Sequence, residues 1–84
     1  MTSKYDRLRH HLENRTEKAV TLAFTEIEKI VGFKLPKSAR LYQAWWANAS
    51  PGTGHPYSYA WTSTGRRATV NLTAETVVFE HTSR

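Results

Sequence analysis

The residues of this sequence with the clearest chemical potential are polar donors in the segment "KSARLYQAWWAN", residues 37–48. Arginine reads guanine in the DNA major groove with two hydrogen bonds, glutamine and asparagine read adenine, and alanine allows close approach to base edges. If the segment is a helix with about 100° per residue, its apolar and aromatic side chains occupy one side. Six residues share the opposite side: Lys37, Arg40, Gln43, Ala44, Ala47 and Asn48. This side contains no carboxylate, which favours a DNA-reading surface over an ordinary solvated face of good helix formers.

The adjacent Trp45 and Trp46 occupy the other side of that predicted helix. A buried tryptophan removes on the order of 200 Å² from solvent, and a small domain needs such large side chains for its core. We therefore expect at least one of the two to be buried. One should face the first two helices and the other the C-terminal hairpin. The alternative is an exposed platform on which the bases of single strands stack.

The distribution of charge indicates a polyanionic partner. The net charge is +5, and no acidic residue lies between Glu28 and Glu75. A positive field of this kind attracts nucleic acid first and an acidic protein second. A basic surface without any partner is the alternative. The cations of the stretch, several of them predicted to bind phosphates, are Lys29, Lys34, Lys37, Arg40, Arg66 and Arg67.

The roles expected for these cations depend on their position. Lys29 and Lys34 flank a predicted turn between two helices, where they would anchor phosphates. Arg66 and Arg67 stand at the entrance of a predicted hairpin, where they either reach the DNA backbone or serve as charges that blunt a strand edge.

Catalytic and metal-binding patterns are weak. The sequence has no cysteine, and its four histidines show no H-x-x-x-H or H-E-x-x-H spacing. His10 and His11 are neighbours and point to different faces, and His11 is expected to be a partly buried packing residue. No nucleophile elbow or glycine-rich phosphate loop follows a strand. We expect no enzyme activity, no metal and no cofactor.

Hydrophobic periodicity and turn residues predict the elements that must position these side chains. Ser3 with Asp6, and Thr25 with Glu28, form capping signatures at the starts of two helices, and Gly32 supplies a stop. The predicted order is a helix over 4–14, a strand over 19–24, a short helix over 25–32, a helix over 36–49, one or two helical turns between Pro56 and Gly65, and a hairpin of 67–72 with 76–81.

This order predicts an α+β fold of the winged helix-turn-helix type in a single domain, residues 1–84. The early strand should pair with the hairpin and so remove an exposed edge, and the second and third helices should form the helix-turn-helix pair. A homodimer would match a palindromic site, but no apolar patch points to one.

The stretch "TLAFTEIEKIVGFKLPKSARLYQAWWANAS" followed by "AWTSTGRRATVNLTAETVVFEH" resembles a family of small bacterial domains of unknown function. The resemblance covers about residues 5–81 and is most specific in "SARLYQAWWAN". It implies a winged-helix-like domain and, by analogy alone, nucleic-acid binding.

We therefore expect a non-catalytic DNA-binding domain that serves in transcription regulation or DNA targeting. The helix of 36–49 would enter the major groove and the hairpin wing would contact the backbone. The alternative is an adaptor that binds an acidic protein through the basic surface, and a third hypothesis is binding of single strands or RNA. The absence of an apolar leader or spanning run and of cysteine predicts a cytoplasmic protein with no membrane partner.

Overall fold

The computed structural model describes residues 4–48 and 56–82, except for the side chain of Pro56. Two short 3₁₀ turns, Gln43–Trp46 and Pro56–Ser58, complete the secondary structure of these residues. Ser3 and Ala49, which entered the predictions above, and His55, one of the four histidines, lie outside the described residues. The helices and strands are α1 (Asp6–Glu13), β1 (Ala19–Ala23), α2 (Phe24–Val31), α3 (Lys37–Leu41), α4 (Tyr59–Thr62), β2 (Arg66–Asn71) and β3 (Thr76–His81).

The three strands form one antiparallel sheet in the order β1-β3-β2. Val20 of β1 and Ala68 of β2 both lie opposite Phe79 of the central strand. The predicted hairpin and the predicted pairing of the early strand with it are therefore confirmed, as is the α+β class.

The core lies between the inner face of this sheet and the helices. Strand residues at alternate positions point to one face, and Val77 and Phe79 of β3 are fully buried. Leu8 and Leu12 of α1 are four residues apart on one face and are buried as well. Burial of such apolar surface is the dominant favourable term in folding. Further core residues from the remaining elements are Val20, Leu22, Phe24, Ile27, Val31, Leu35, Ala39, Trp46, Ala60 and Trp61.

The helix predicted over 36–49 is wrong in its extent. α3 ends at Leu41, because Tyr42 has an extended backbone with φ −123° and ψ 123°. The following residues form a 3₁₀ turn. The break lets the indole N–H of Trp46 donate to the carbonyl of Ala39 at 2.8 Å. A buried indole N–H needs such a partner, and a continuous helix would have pointed the two tryptophans about 100° apart.

The prediction that at least one tryptophan of the pair is buried is confirmed. Trp46 is 2% exposed and stacks on Phe24 at a centroid distance of 5.7 Å. Trp45 is half-buried and stacks on Tyr57 at 3.9 Å. The two tryptophan rings lie edge to face, 4.7 Å apart, so the break in the helix brings them together in one aromatic cluster.

The second helix begins earlier than its predicted cap. Ala23 is the N-cap residue, and the carboxylate of Glu26 accepts the N–H of Ala23 at 2.8 Å. The N–H of Phe24 donates to the carbonyl of Glu75 in the β2–β3 turn, also at 2.8 Å. Because the start of α2 is satisfied in this way, Thr25 has no capping role and Glu28 is available for other contacts.

The two tryptophans offer a matched test of this packing. Trp46→Ala should lower the free energy of unfolding by about 3–5 kcal/mol, because it empties a closed site and removes a buried hydrogen bond. Trp45→Ala should cost at least about 1 kcal/mol less, because its ring is partly solvated already. Urea denaturation of both variants measures the difference. Equal losses would contradict the inward placement of Trp46.

Candidate nucleic-acid interface

Cations from two elements meet around the turn that joins α2 to α3. Lys29 lies in the last turn of α2, Lys34 lies in the connection, and Lys37 is the first residue of α3. All three side chains are exposed. They follow one another closely because the connection between the two helices, residues 32–36, is short.

The N-terminal part of the chain adds two more cations to this surface. A guanidinium nitrogen of Arg7, in α1, lies 3.5 Å from the position that a Cβ atom on Gly32 would occupy. The ammonium of Lys4 lies 5.0 Å from the centre of the Phe33 ring. We call the group formed by Lys4, Arg7, Lys29, Lys34 and Lys37 the basic surface.

Sequence reasoning missed Lys4 and Arg7, since it treated the first helix only as scaffold. The available signal was their spacing of three, which places both on one face of the helix predicted over 4–14. Their nearness to the α2–α3 turn is a consequence of tertiary packing of α1 on α2, and no local pattern contains it.

Gly32 makes the turn at the centre of this surface. Its φ is +86°, in the left-handed region, and its N–H closes the end of α2 on the carbonyl of Glu28 at 2.8 Å. Left-handed backbone is the common C-terminal cap of helices and favours glycine. It directs the chain back so that Lys34 follows Lys29 closely in space.

The carboxylate of Glu28, beside Lys29 and Lys34, is paired with a cation outside the basic surface. Glu28 accepts a hydrogen bond from the Arg40 guanidinium at 2.8 Å and another from the N–H of Leu35, also at 2.8 Å. The Arg40 hydrogen bond is the main cause of a lowered pKa for Glu28, so this carboxylate stays ionised and bound at neutral pH. Lys34 interacts electrostatically with Glu28 but forms no ion pair with it.

Other acidic residues pair with other cations. Arg9 binds both Asp6 and Glu13. Arg15 binds Glu17 at 2.8 Å and lowers the pKa of that carboxyl to about 2. Within 4–48 and 56–82, no carboxylate therefore lies within ion-pair distance, 4 Å, of the basic surface. Its positive charge is left for solvent or a ligand.

Arg40, predicted as a base-reading residue, is held inside the domain. Besides Glu28, its guanidinium lies 3.6 Å from the carboxylate of Glu75 in the β2–β3 turn. It also lies 5.5 Å from the ring centre of Phe24. These contacts join α2, α3 and the hairpin. They use the planar donor groups that guanine recognition would require.

Asn48, another residue predicted to read a base, joins the edge of the sheet to α4. Its side-chain oxygen accepts the N–H of Ala68 at 2.7 Å and the indole N–H of Trp61 at 2.8 Å. Its amide nitrogen donates to the carbonyl of Ala68 at 3.2 Å. The side-chain amide of Asn48 thus pairs with β2 as a neighbouring strand would, and it covers the free edge of β2 at Ala68.

Arg66, predicted to contact phosphate, is 2% exposed. Its guanidinium donates to the backbone carbonyls of Arg15, Glu17, Lys18 and Phe79 at 2.8–3.2 Å. These bonds tie the segment before β1 to the sheet. These four acceptors are internal and Nε of Arg66 is buried, so the guanidinium does not face a phosphate outside.

The remaining predicted site residues are exposed but separate. Gln43 and Ala44 lie on the 3₁₀ turn beside β2, beyond the break at Tyr42. Arg67 lies on the outer face of the sheet, opposite Glu80. The predicted set of nine residues is therefore not one surface. Only Lys29, Lys34 and Lys37 share the basic surface, together with the two cations of the N-terminal part.

Comparison with known proteins agrees with the sequence resemblance. Residues 5–83 match the model of a family described as a domain of unknown function, DUF7662. The chain belongs to this family. No curated protein and no solved structure matches it.

Histidine and acidic side chains do not cluster in the described part of this DUF7662 domain. No group of three or more His, Cys, Asp or Glu side chains there is close enough to hold a metal ion. None of the described helices is long and apolar enough to cross a membrane. His11 is half-buried beside Arg15, and burial is the main cause of its lowered pKa.

The neighbouring Arg66 and Arg67 provide a matched test of the internal role assigned to Arg66. Arg66→Ala should lower the free energy of unfolding of the DUF7662 domain by about 3 kcal/mol, because buried carbonyls lose charge-assisted donors. Arg67→Ala removes the same charge from the surface and should change it by less than about 0.5 kcal/mol. Urea denaturation compares the two. A near-neutral Arg66→Ala would contradict the burial of this guanidinium.

Proposed function

We propose that this domain binds double-stranded DNA, chiefly by phosphate contacts on the basic surface. The observation that carries the proposal is the separation of charge. Five cations that have no carboxylate within ion-pair distance among the described residues surround the α2–α3 turn, while Glu28 beside them is held by Arg40. Neutralising phosphates with such cations releases counterions, which is the main source of affinity in non-specific binding.

The topology supports a winged-helix manner of docking. A helix, a strand, the helices α2 and α3, the short helix α4 and a hairpin follow one another, and the first strand pairs with the last in a sheet of order β1-β3-β2. In helix-turn-helix proteins the second helix of the pair lies in the major groove with its N-terminal residues toward the bases. By this analogy the start of α3, where Lys37 is exposed, would face the bases.

The proposed contact is narrower than the one that sequence alone predicted. Arg40 and Asn48 are engaged within the domain, so these two of the predicted base-reading residues are not assigned to DNA. α3 has five residues and presents about one and a half turns to a groove. We accordingly propose modest sequence selectivity, with affinity dominated by the backbone.

A second candidate function, protein interaction, is favoured by one observation. Leu41 and Tyr42 are 56% and 61% exposed at the end of α3. Exposed neighbouring apolar side chains are typical of protein contact surfaces. An adaptor would use them together with the adjacent cations against an acidic partner. Capture of a partner from lysate that survives nuclease treatment would support this candidate over DNA binding.

The DNA proposal is tested by the salt dependence of binding to a mixed-sequence duplex. The double variant Lys29→Ala/Lys34→Ala should weaken binding to all sequences alike. It should also reduce the slope of log K against log salt by about 2, because each lysine that neutralises a phosphate adds about 1 to that slope. Fluorescence anisotropy over a range of salt concentrations measures both quantities.

Lys18→Ala/Arg67→Ala is the matched control, with the same change in net charge. Lys18 precedes β1 at the end away from α2, and Arg67 is on the outer face of the sheet. For this control variant, the slope of log K against log salt should stay close to that of the wild type. Equal losses in the two double variants would mean that net charge alone attracts DNA, and absence of binding by the wild type at low salt would overturn the proposal.

A further inference from the structure

A shallow hollow lies in the middle of the basic surface. It has a volume of about 450 Å³ and is bordered by the side of α2 and the α2–α3 turn. Ligand sites commonly range from about 300 to 1,000 Å³, so the hollow has room for one flat ring system. Its lining residues are Thr25, Glu28, Lys29, Gly32, Phe33 and Lys34.

Phe33 supplies an aromatic wall of this hollow. Its side chain is half-buried, and the ring of Tyr5 meets it edge to face, with centroids 5.2 Å apart. The ammonium of Lys4 lies over the ring at 5.0 Å. Phe33 is therefore held in place by the core while a long lysine side chain, rather than another ring, lies over it.

The tryptophans do not offer a comparable surface. Trp46 is 2% exposed. Trp45 is stacked on Tyr57 at 3.9 Å and meets Trp46 at 4.7 Å, so rings of the domain already lie against it. Rings of the domain thus contact both tryptophans, whereas the ammonium of Lys4 lies over the Phe33 ring, and we take Phe33 as the better candidate for a stacking platform.

The charges around Phe33 match the chemistry of a nucleotide. Lys4 lies on its ring, Arg7 lies over Gly32, and Lys29 and Lys34 line the same hollow. Proteins that bind single strands combine aromatic rings, on which bases stack, with cations that follow the phosphates. The carboxylate of Glu28 in the hollow is bound by Arg40 and by the N–H of Leu35, so it does not oppose an anion as a bare charge would.

We propose that the hollow binds one unpaired nucleobase on Phe33, with the flanking phosphates on Lys4, Arg7, Lys29 and Lys34. The ammonium of Lys4 moves from the ring to a phosphate when the base enters, since a cation–π contact at an exposed site is weak. The inference rests on the DNA-binding function proposed above and deepens it. Duplex DNA that carries a single-stranded extension becomes the preferred ligand over blunt duplex.

The test compares a blunt duplex with the same duplex bearing a short single-stranded extension. Phe33→Leu removes the ring and keeps an apolar side chain, whereas Phe33→Tyr keeps the ring. Of these two variants, only Phe33→Leu abolishes base–aromatic stacking. It should therefore bind the extended duplex at least about fivefold more weakly than the wild type does. Binding of the blunt duplex should be unchanged, and Phe33→Tyr should behave as the wild type.

Tyr42→Leu is the matched control, since Tyr42 is 61% exposed and does not line the hollow. It should leave the preference for the extended duplex intact. Equal weakening of both DNAs by Phe33→Leu, or no preference of the wild type for the extension, would overturn the base site while the duplex proposal stands. Failure of the wild type to bind either DNA would overturn both.

A measurement on the wild type guards against a Phe33→Leu domain that does not fold. The aromatic proton resonances of Phe33 should shift when the extended duplex is added and change little with blunt duplex. The same shift with both DNAs, or with neither, would contradict stacking of an unpaired base on this ring.

Discussion

The path of the chain from α3 to the edge of the sheet is held by a single side-chain amide, that of Asn48. It pairs with both backbone groups of Ala68 and accepts the indole N–H of Trp61. An amide that is withdrawn from solvent must satisfy its donors and acceptor inside the protein, so the segment before it has to approach the sheet edge. That requirement is compatible with a break at Tyr42 and not with a helix continuing to the end of the motif. The buried Trp46, bonded to Ala39, enforces the same path.

The polar residues divide into two groups with different tasks. Arg40 and Arg66 connect segments that are distant in sequence. Arg40 does so through Glu28, and Arg66 does so through four backbone carbonyls. A guanidinium suits this task because it presents five donors in a fixed plane. Lysine is a strongly hydrated point charge and costs more to bury. The exposed positive charge near the α2–α3 turn is accordingly carried mostly by lysines.

The sequence predicted the order of elements and the hairpin from local periodicity and turn residues. It predicted the pairing of the first strand with the hairpin from the need to cover a strand edge, and the burial of a tryptophan from the need of a small core for large side chains. It failed where a tertiary contact overrides local preference. The run from Lys37 to Asn48 has helical composition, but burial of Trp46 and satisfaction of Asn48 break it. Charge alone could not distinguish Arg66, which is buried, from Arg67, which is exposed. Nor could it bring Lys4 and Arg7 to the basic surface, because only the packing of α1 on α2 does so.

The central claim is that the α2–α3 turn, and not the rest of the 37–48 segment, faces DNA. The most direct measurement is a nuclear magnetic resonance titration of the labelled domain with a blunt duplex, following backbone amide shifts. The largest shifts are expected at Lys29, Lys34, Lys37 and Arg7, with little change at Gln43, Asn48 and Arg67. Largest shifts at Gln43 and Asn48, or on the outer face of the sheet around Arg67, would contradict that claim.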